Sequence, residues 1–169
     1  EKGGHDGPPE EEVVRVRETE AWNASVILGV SDIEFWRQPD GNLRATAPLT
    51  RRLVETLYLY GPELIYCPHP REEHPDHRAS YRLLTRALKE SNHPCRVLLY
   101  EVWTPLQELA HLEDITAYVD QKLAAIRAYE SQCRALRFDD AMQGLARYRG
   151  EMHSWPGGDY AEAFGELKL

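Results

Sequence analysis

The sequence predicts an α/β fold: a Rossmann-like, mostly parallel sheet flanked by helices. Two observations carry this. Helix and strand patterns alternate from Pro8 to Trp103, the grammar of parallel strands joined by crossover helices. Leu64-Ile65-Tyr66-Cys67 is a short continuous apolar run, the mark of a strand buried on both faces. A length of 169 residues suits one domain, residues 1–169, with a sizeable core.

Residues 1–7 hold three glycines and read as loop. Pro8 and Pro9 followed by Glu10, Glu11 and Glu12 suit a helix start, because proline fits the first turn and acids favour the positive end of the dipole. That helix runs to about Leu28 and stops at Gly29, with Val13, Val16, Ala21, Ala24, Ile27 and Leu28 roughly on one face. Val30 to Trp36 reads as a strand and Pro39-Asp40-Gly41-Asn42 as a turn. A helix follows over Leu49–Tyr60, then the Leu64–Cys67 strand, a loop and a helix from Pro75 to about Glu90. Arg96 to Trp103 is β-rich. Helices follow over Ala117–Cys133 and Asp139–Met152, with an apolar tail at Tyr160–Phe164.

The net charge of −8 repels phosphate backbones, so nucleic acid is not an expected partner. No apolar run approaches the roughly 20 residues that span a bilayer, and no secretory signal pattern opens the chain. The cysteines Cys67, Cys95 and Cys133 are odd in number and widely spaced, and read as small buried hydrophobes. A cytoplasmic location fits this usage.

The chemistry concentrates in Arg71-Glu72-Glu73-His74-Pro75-Asp76-His77-Arg78. In parallel sheets, ligands bind beyond the carboxyl ends of strands, and this stretch follows one. Pro75 as first helical residue puts His77 in the first turn and His74 just before it. Both can face one cleft. Imidazole is a common zinc ligand, and a bound zinc acidifies water to a pKa near ~7. The second histidine then serves as general acid, with Asp76 fixing its tautomer. Capping alone accounts for acids and proline at a helix start, so the bland reading stands beside the metal one.

His74-Pro75-Asp76-His77 after such a strand resembles the second signature of the PIG-L/LmbE-like zinc-dependent de-N-acetylases. Further matches run along the chain: Glu1-Lys2-Gly3-Gly4, Arg17 to Val30, Phe35 to Leu43, Asp114-Ile115-Thr116, Lys122, Ser131-Gln132 and Tyr160 to Phe164. The resemblance implies a zinc-dependent amide hydrolase acting on an N-acetylated amino sugar, with another divalent transition metal as a possible substitute. It implies His77 as zinc ligand, His74 as the group that polarises or protonates the reacting amide, and Asp76 as its orienting partner. Arg17 and Asp40 align with positions that line the sugar pocket.

The family's first signature, His-Pro-Asp-Asp, supplies two further zinc ligands and the general-base aspartate, and this sequence has no such motif. The nearest candidate is Gly4-His5-Asp6-Gly7. The chain is therefore expected to lack the first strand-helix-strand of the fold. A separate N-terminal segment completing the site, or a homo-oligomer covering an open sheet edge, follows as an expectation. Two other readings stay open: a non-catalytic binding or structural module that kept the fold, and a metal hydrolase using His69, His74 and His77 together.

The remaining candidates take plainer readings. His69 is expected to be a solvated loop histidine, and His5, His93, His111 and His153 surface residues. Arg71, Glu72 and Glu73 read as a solvated rim. Trp36 and Trp103 read as core aromatics rather than sugar-stacking ones. Asp139-Asp140 reads as a helix cap.

Overall fold

The computed structural model describes residues 10–153 and 158–168. Among these described residues six helices and four strands follow in the order α1 (Glu10–Leu28), α2 (Ala47–Tyr60), β1 (Leu64–Pro68), α3 (Pro75–Ser91), β2 (Arg96–Tyr100), β3 (His111–Asp114), α4 (Val119–Arg127), α5 (Glu130–Cys133), α6 (Phe138–His153) and β4 (Ala161–Glu166). Pro8, Pro9 and Gly4-His5-Asp6-Gly7 lie outside the described residues.

The strands form one sheet in the order β1-β2-β4-β3. β1 and β2 are parallel, in a register that pairs Leu64 with Arg96 and Pro68 with Tyr100. α3 makes the crossover between them. β4 runs antiparallel to both β2 and β3. The fold is α/β as expected, but among the described strands the sheet is mixed rather than mostly parallel. The reason lies in the late strands. β3 and β4 run opposite to each other, and β4 inserts beside β2 in the opposite sense.

α3 shows why the central unit forms. His74 caps it, Pro75 occupies its first turn and Asp76 favours the positive end of its dipole. Asn92, at φ 50°, ends it in the left-handed region and donates its backbone N–H to Leu88 O. Its buried stripe of Ala79, Leu83, Leu84, Ala87 and Leu88 recurs at helical spacing. Leu84, Ala87 and Leu88 join Leu57 of α2, Cys67 of β1 and Val97 and Leu99 of β2 in one core cluster. Each large aliphatic side chain buried there contributes roughly 1.5–3 kcal/mol. Burial also pushes the Cys67 thiol up to about 12. Cys95 and Cys133 are only half-buried.

β2 is the strand buried on both faces, through Val97, Leu98 and Leu99. β1 is buried on one face only. Its Cys67 packs into the core, whereas Leu64 and Tyr66 are exposed. β1 is an edge strand, with β2 as its one neighbour among the described strands.

Three other expectations are corrected. Val30–Trp36 is extended but pairs with no described strand. It is pinned instead by side chains: Arg37 Nε and Nη2 donate to the two carboxylate oxygens of Glu18 on α1 at 2.7 and 3.0 Å. The helix expected over Ala117–Cys133 is two, because Glu20 on α1 accepts from Ser131 N and Ser131 Oγ at 2.6 and 2.7 Å and starts α5 there. On α1 itself Val13, Val16 and Leu28 are exposed, and the buried residues are Glu20, Ala24 and Ser25.

Candidate functional site

Parallel pairing of β1 and β2 brings their carboxyl ends together, so the loops that leave them meet. The loop after β1 carries His69 to His74. The segment after β2 carries Glu101 to Thr104. Glu72 joins them. It is 1 % exposed. Its Oε1 accepts from the backbone N–H groups of Val102, Trp103 and Thr104 at 2.8, 3.1 and 3.1 Å. Its Oε2 accepts from Trp103 N at 3.1 Å and faces His77 Nδ1 at 3.0 Å. Burial pushes this carboxyl up, but the three backbone N–H groups and His77 outweigh it and hold it below the ordinary range. Glu72 is therefore no solvated rim residue. It is a buried carboxylate surrounded by donors.

His69 is corrected as well. It is 2 % exposed. Its Nδ1 accepts from Arg71 N at 3.2 Å, which places the ring proton on Nε2. That nitrogen lies 2.7 Å from Thr104 O and 3.3 Å from Glu72 Oε1. Both nitrogens are committed, so His69 is neither a solvated histidine nor a free metal ligand. It clamps the same two loops.

His74 and His77 stand with ring centroids 5.0 Å apart. His74 Nδ1 accepts from Asp76 N at 3.3 Å, an N-cap bond, so its proton sits on Nε2. The Nδ1 of His77 faces an ionised carboxylate, which only accepts, so its proton sits on Nδ1. The two rings thus carry their protons on opposite nitrogens. His74 offers an N–H donor, and His77 offers a bare Nε2.

The sequence leads one to expect Asp76 to orient His74; in the structure both its carboxylate oxygens accept backbone N–H groups. Its Oδ2 accepts from Gly41 N at 2.7 Å and its Oδ1 from Leu43 N at 2.9 Å. It locks the Pro39–Asn42 turn onto the start of α3. Gly41 has φ 72°, which suits glycine, and Asn42 N closes the turn on Pro39 O at 3.2 Å. This brings Asp40 to the site. Asp40, His74 and Asp76 each present a ligand atom within 4.8 Å of the others. His77 is outside that group. Arg17, on α1, is half-buried.

Trp103 is 44 % exposed and meets Phe138 edge-on at 5.3 Å between centroids. It borders the site rather than filling the core. Below it, Glu101 and Arg149 form a buried pair with contacts of 3.0 and 2.8 Å. Glu101 also accepts from Leu106 N at 2.6 Å, and Arg149 donates to Leu106 O at 2.7 Å. The pair fixes the path of the chain from β2 past the site. Sequence reading took Glu72 for a rim residue and missed Glu101 and Arg149. The signal open to it was an acid two residues before His74, and an acid inside the β-rich run Arg96–Trp103.

The profile of the family described as PIG-L, GlcNAc-PI de-N-acetylase, matches residues 1–88, which include the whole His69–His77 loop. The chain belongs to the PIG-L family. Solved structures agree with this PIG-L fold. The conserved protein TT1542 from Thermus thermophilus is 29 % identical, with a TM-score of 0.80 over 98 % of this chain and 78 % of that one. The N,N'-diacetylchitobiose deacetylase from Pyrococcus horikoshii is 22 % identical, with a TM-score of 0.83 over 96 % and 67 %. The 4-carboxy-2-hydroxymuconate hydratase GalB from Pseudomonas putida KT2440 is 23 % identical, with a TM-score of 0.80 over 98 % and 76 %. A deacetylase and a hydratase share this fold, so the PIG-L chain's own side chains must carry the functional reading.

Proposed function

We propose that this chain forms part of a zinc-dependent amide hydrolase that removes the acetyl group from an N-acetylated amino sugar. The observation that carries the reading is the pair of histidines at the start of α3, with His77 Nδ1 on Glu72, His74 Nδ1 on Asp76 N and the two rings 5.0 Å apart. PIG-L membership and deacetylase neighbours support the reaction class.

The donor chemistry at His77 fits zinc. Metal-ligating histidines commonly give their other ring N–H to a carboxylate, and His77 does so to Glu72. A hydrolytic zinc takes about three protein ligands. His77 Nε2 is one, and in the family the His-Pro-Asp-Asp signature, which this sequence does not contain, supplies the others. Bound zinc supplies Lewis acidity toward the amide carbonyl and a more acidic water. His74 supplies the proton chemistry. Its Nε2–H points away from the cap bond and can stabilise the developing oxyanion or hand a proton to the leaving amine. Asp40, presented by the locked turn, and Arg17 serve the sugar. Trp103 offers an apolar face to it.

A second metal locus, Asp40-His74-Asp76, is favoured by its short separations. Its atoms are largely engaged already: both Asp76 oxygens accept backbone N–H groups, and so does His74 Nδ1. The full-length gene product decides. Zinc content and amine release from N-acetylglucosamine conjugates are measured for the parent, His77→Ala and Asp40→Ala. The proposal expects His77→Ala to lose zinc and activity and Asp40→Ala to keep zinc. Zinc lost only in Asp40→Ala moves the metal to the second locus. No zinc in the parent, with sugar binding retained, establishes the non-catalytic module. No helix among the described residues is long and apolar enough to cross a membrane. The odd number and wide spacing of the cysteines support a cytoplasmic location.

A further inference from the structure

Glu72 does more than hold two loops together. A neutral imidazole exchanges its proton between two nitrogens unless a partner fixes it. The His77 side chain is 26 % exposed, so the ring is not fixed by enclosure. Its partner is fixed instead. Glu72 Oε1 is held by three consecutive backbone N–H groups, and Trp103 N is shared with Oε2. The carboxylate cannot rotate without freeing these part-buried backbone donors, so Oε2 stays aimed at His77 Nδ1.

We propose that Glu72 is a positioning residue: by accepting a hydrogen bond from Nδ1–H of His77, it fixes that ring's tautomer and keeps Nε2 bare for a metal ion. This rests on His77 being a metal ligand. The tautomer itself is read in metal-free protein, so failure of either idea is told apart from failure of the other.

The sharpest variant is Glu72→Gln. Glutamine has the same shape, and its Oε1 keeps the N–H groups of Val102, Trp103 and Thr104. Its amide nitrogen then faces His77 Nδ1. Two donors cannot face each other, so the ring proton moves to Nε2. A purely structural role for Glu72 predicts no such move. The full chain is labelled with 15N-histidine, stripped of metal with a chelator, and held at pH about 8, where an ordinary histidine is neutral. Two-bond 1H–15N correlations report the tautomer, and the backbone amide spectrum reports the fold. The expected result is an Nδ1–H His77 in the parent and an Nε2–H His77 in Glu72→Gln. An Nε2–H His77 in the parent overturns the proposal, and that measurement stands even where the variant does not fold. So does a folded Glu72→Gln protein in which His77 keeps the parent tautomer.

Discussion

Asp76→Ala should loosen the 39–43 turn and destabilise the protein together. The carboxylate accepts from Gly41 N at 2.7 Å and Leu43 N at 2.9 Å. A hydrogen bond to a charged acceptor contributes about 1.5–3 kcal/mol. Gly41 is exposed, so water takes over its N–H once freed and its bond sits at or below the low end. The Leu43 bond is part-buried and costs more to lose. An acid in the first turn of α3 adds about 0.3–1 kcal/mol through the dipole. The sum is about 3 kcal/mol. For a chain of 169 residues this lowers Tm by about 6–12 °C. Asp76→Asn keeps one acceptor and should lose about half of that. Urea titrations give the stability, with an unchanged slope as the two-state check. Hydrogen exchange at the Gly41 and Leu43 amides gives the local effect, and both should exchange faster in the alanine variant. Stability within ~0.5 kcal/mol of the parent, the range of an ordinary surface substitution, with both amides still slow, would refute the assignment of Asp76 as the lock.

His74→Asn keeps a side chain suited to the N-cap but removes the Nε2–H donor. Deacetylation by the full-length protein should fall about 10²–10⁴-fold while urea stability stays within ~0.5 kcal/mol. Arg149→Ala leaves Glu101 buried without its cation and should cost about 3–5 kcal/mol, measured by the same titration. Arg37 beside Glu18 holds that carboxyl below its usual range, so the pair stabilises the fold above the unfolded carboxyl pKa and loses that effect as pH falls through the lower folded value. Glu18→Gln should therefore be less stable than the parent at neutral pH and indistinguishable from it below the folded pKa, in urea titrations across the acid range.

The local signals in the sequence served well where local chemistry decides. α2 ends at Gly61, φ 53°, and α3 starts at Pro75 and carries its apolar stripe, all visible as residue types and spacings. The site's position after β1 followed from the same reading. What stayed hidden depends on partners distant in sequence. β3 reads His-Leu-Glu-Asp, a polar tetrapeptide that is a strand only because β4 lies beside it. Val30–Trp36 has strand-like residues but pairs with no described strand. Nothing in Ala128-Tyr129 breaks a helix by composition. Glu20, from far earlier in the chain, grips Ser131 and starts a new one. Glu72 looked solvated because a lone acid in a loop usually is. Its burial arises from two strand ends meeting, which no window of sequence displays.

The hub around Glu72 also bears on folding order. Its bonds to Val102, Trp103 and Thr104 join residues 30 to 32 apart in sequence. They cannot form until α3 has crossed over and β2 has paired with β1, and parallel pairing is slow because loop closure precedes its reward. The site is therefore assembled with the sheet, not before it. On heating, loss of the aligned histidines and loss of the β1–β2 pair should be one transition, with no half-built site surviving on an unfolded chain.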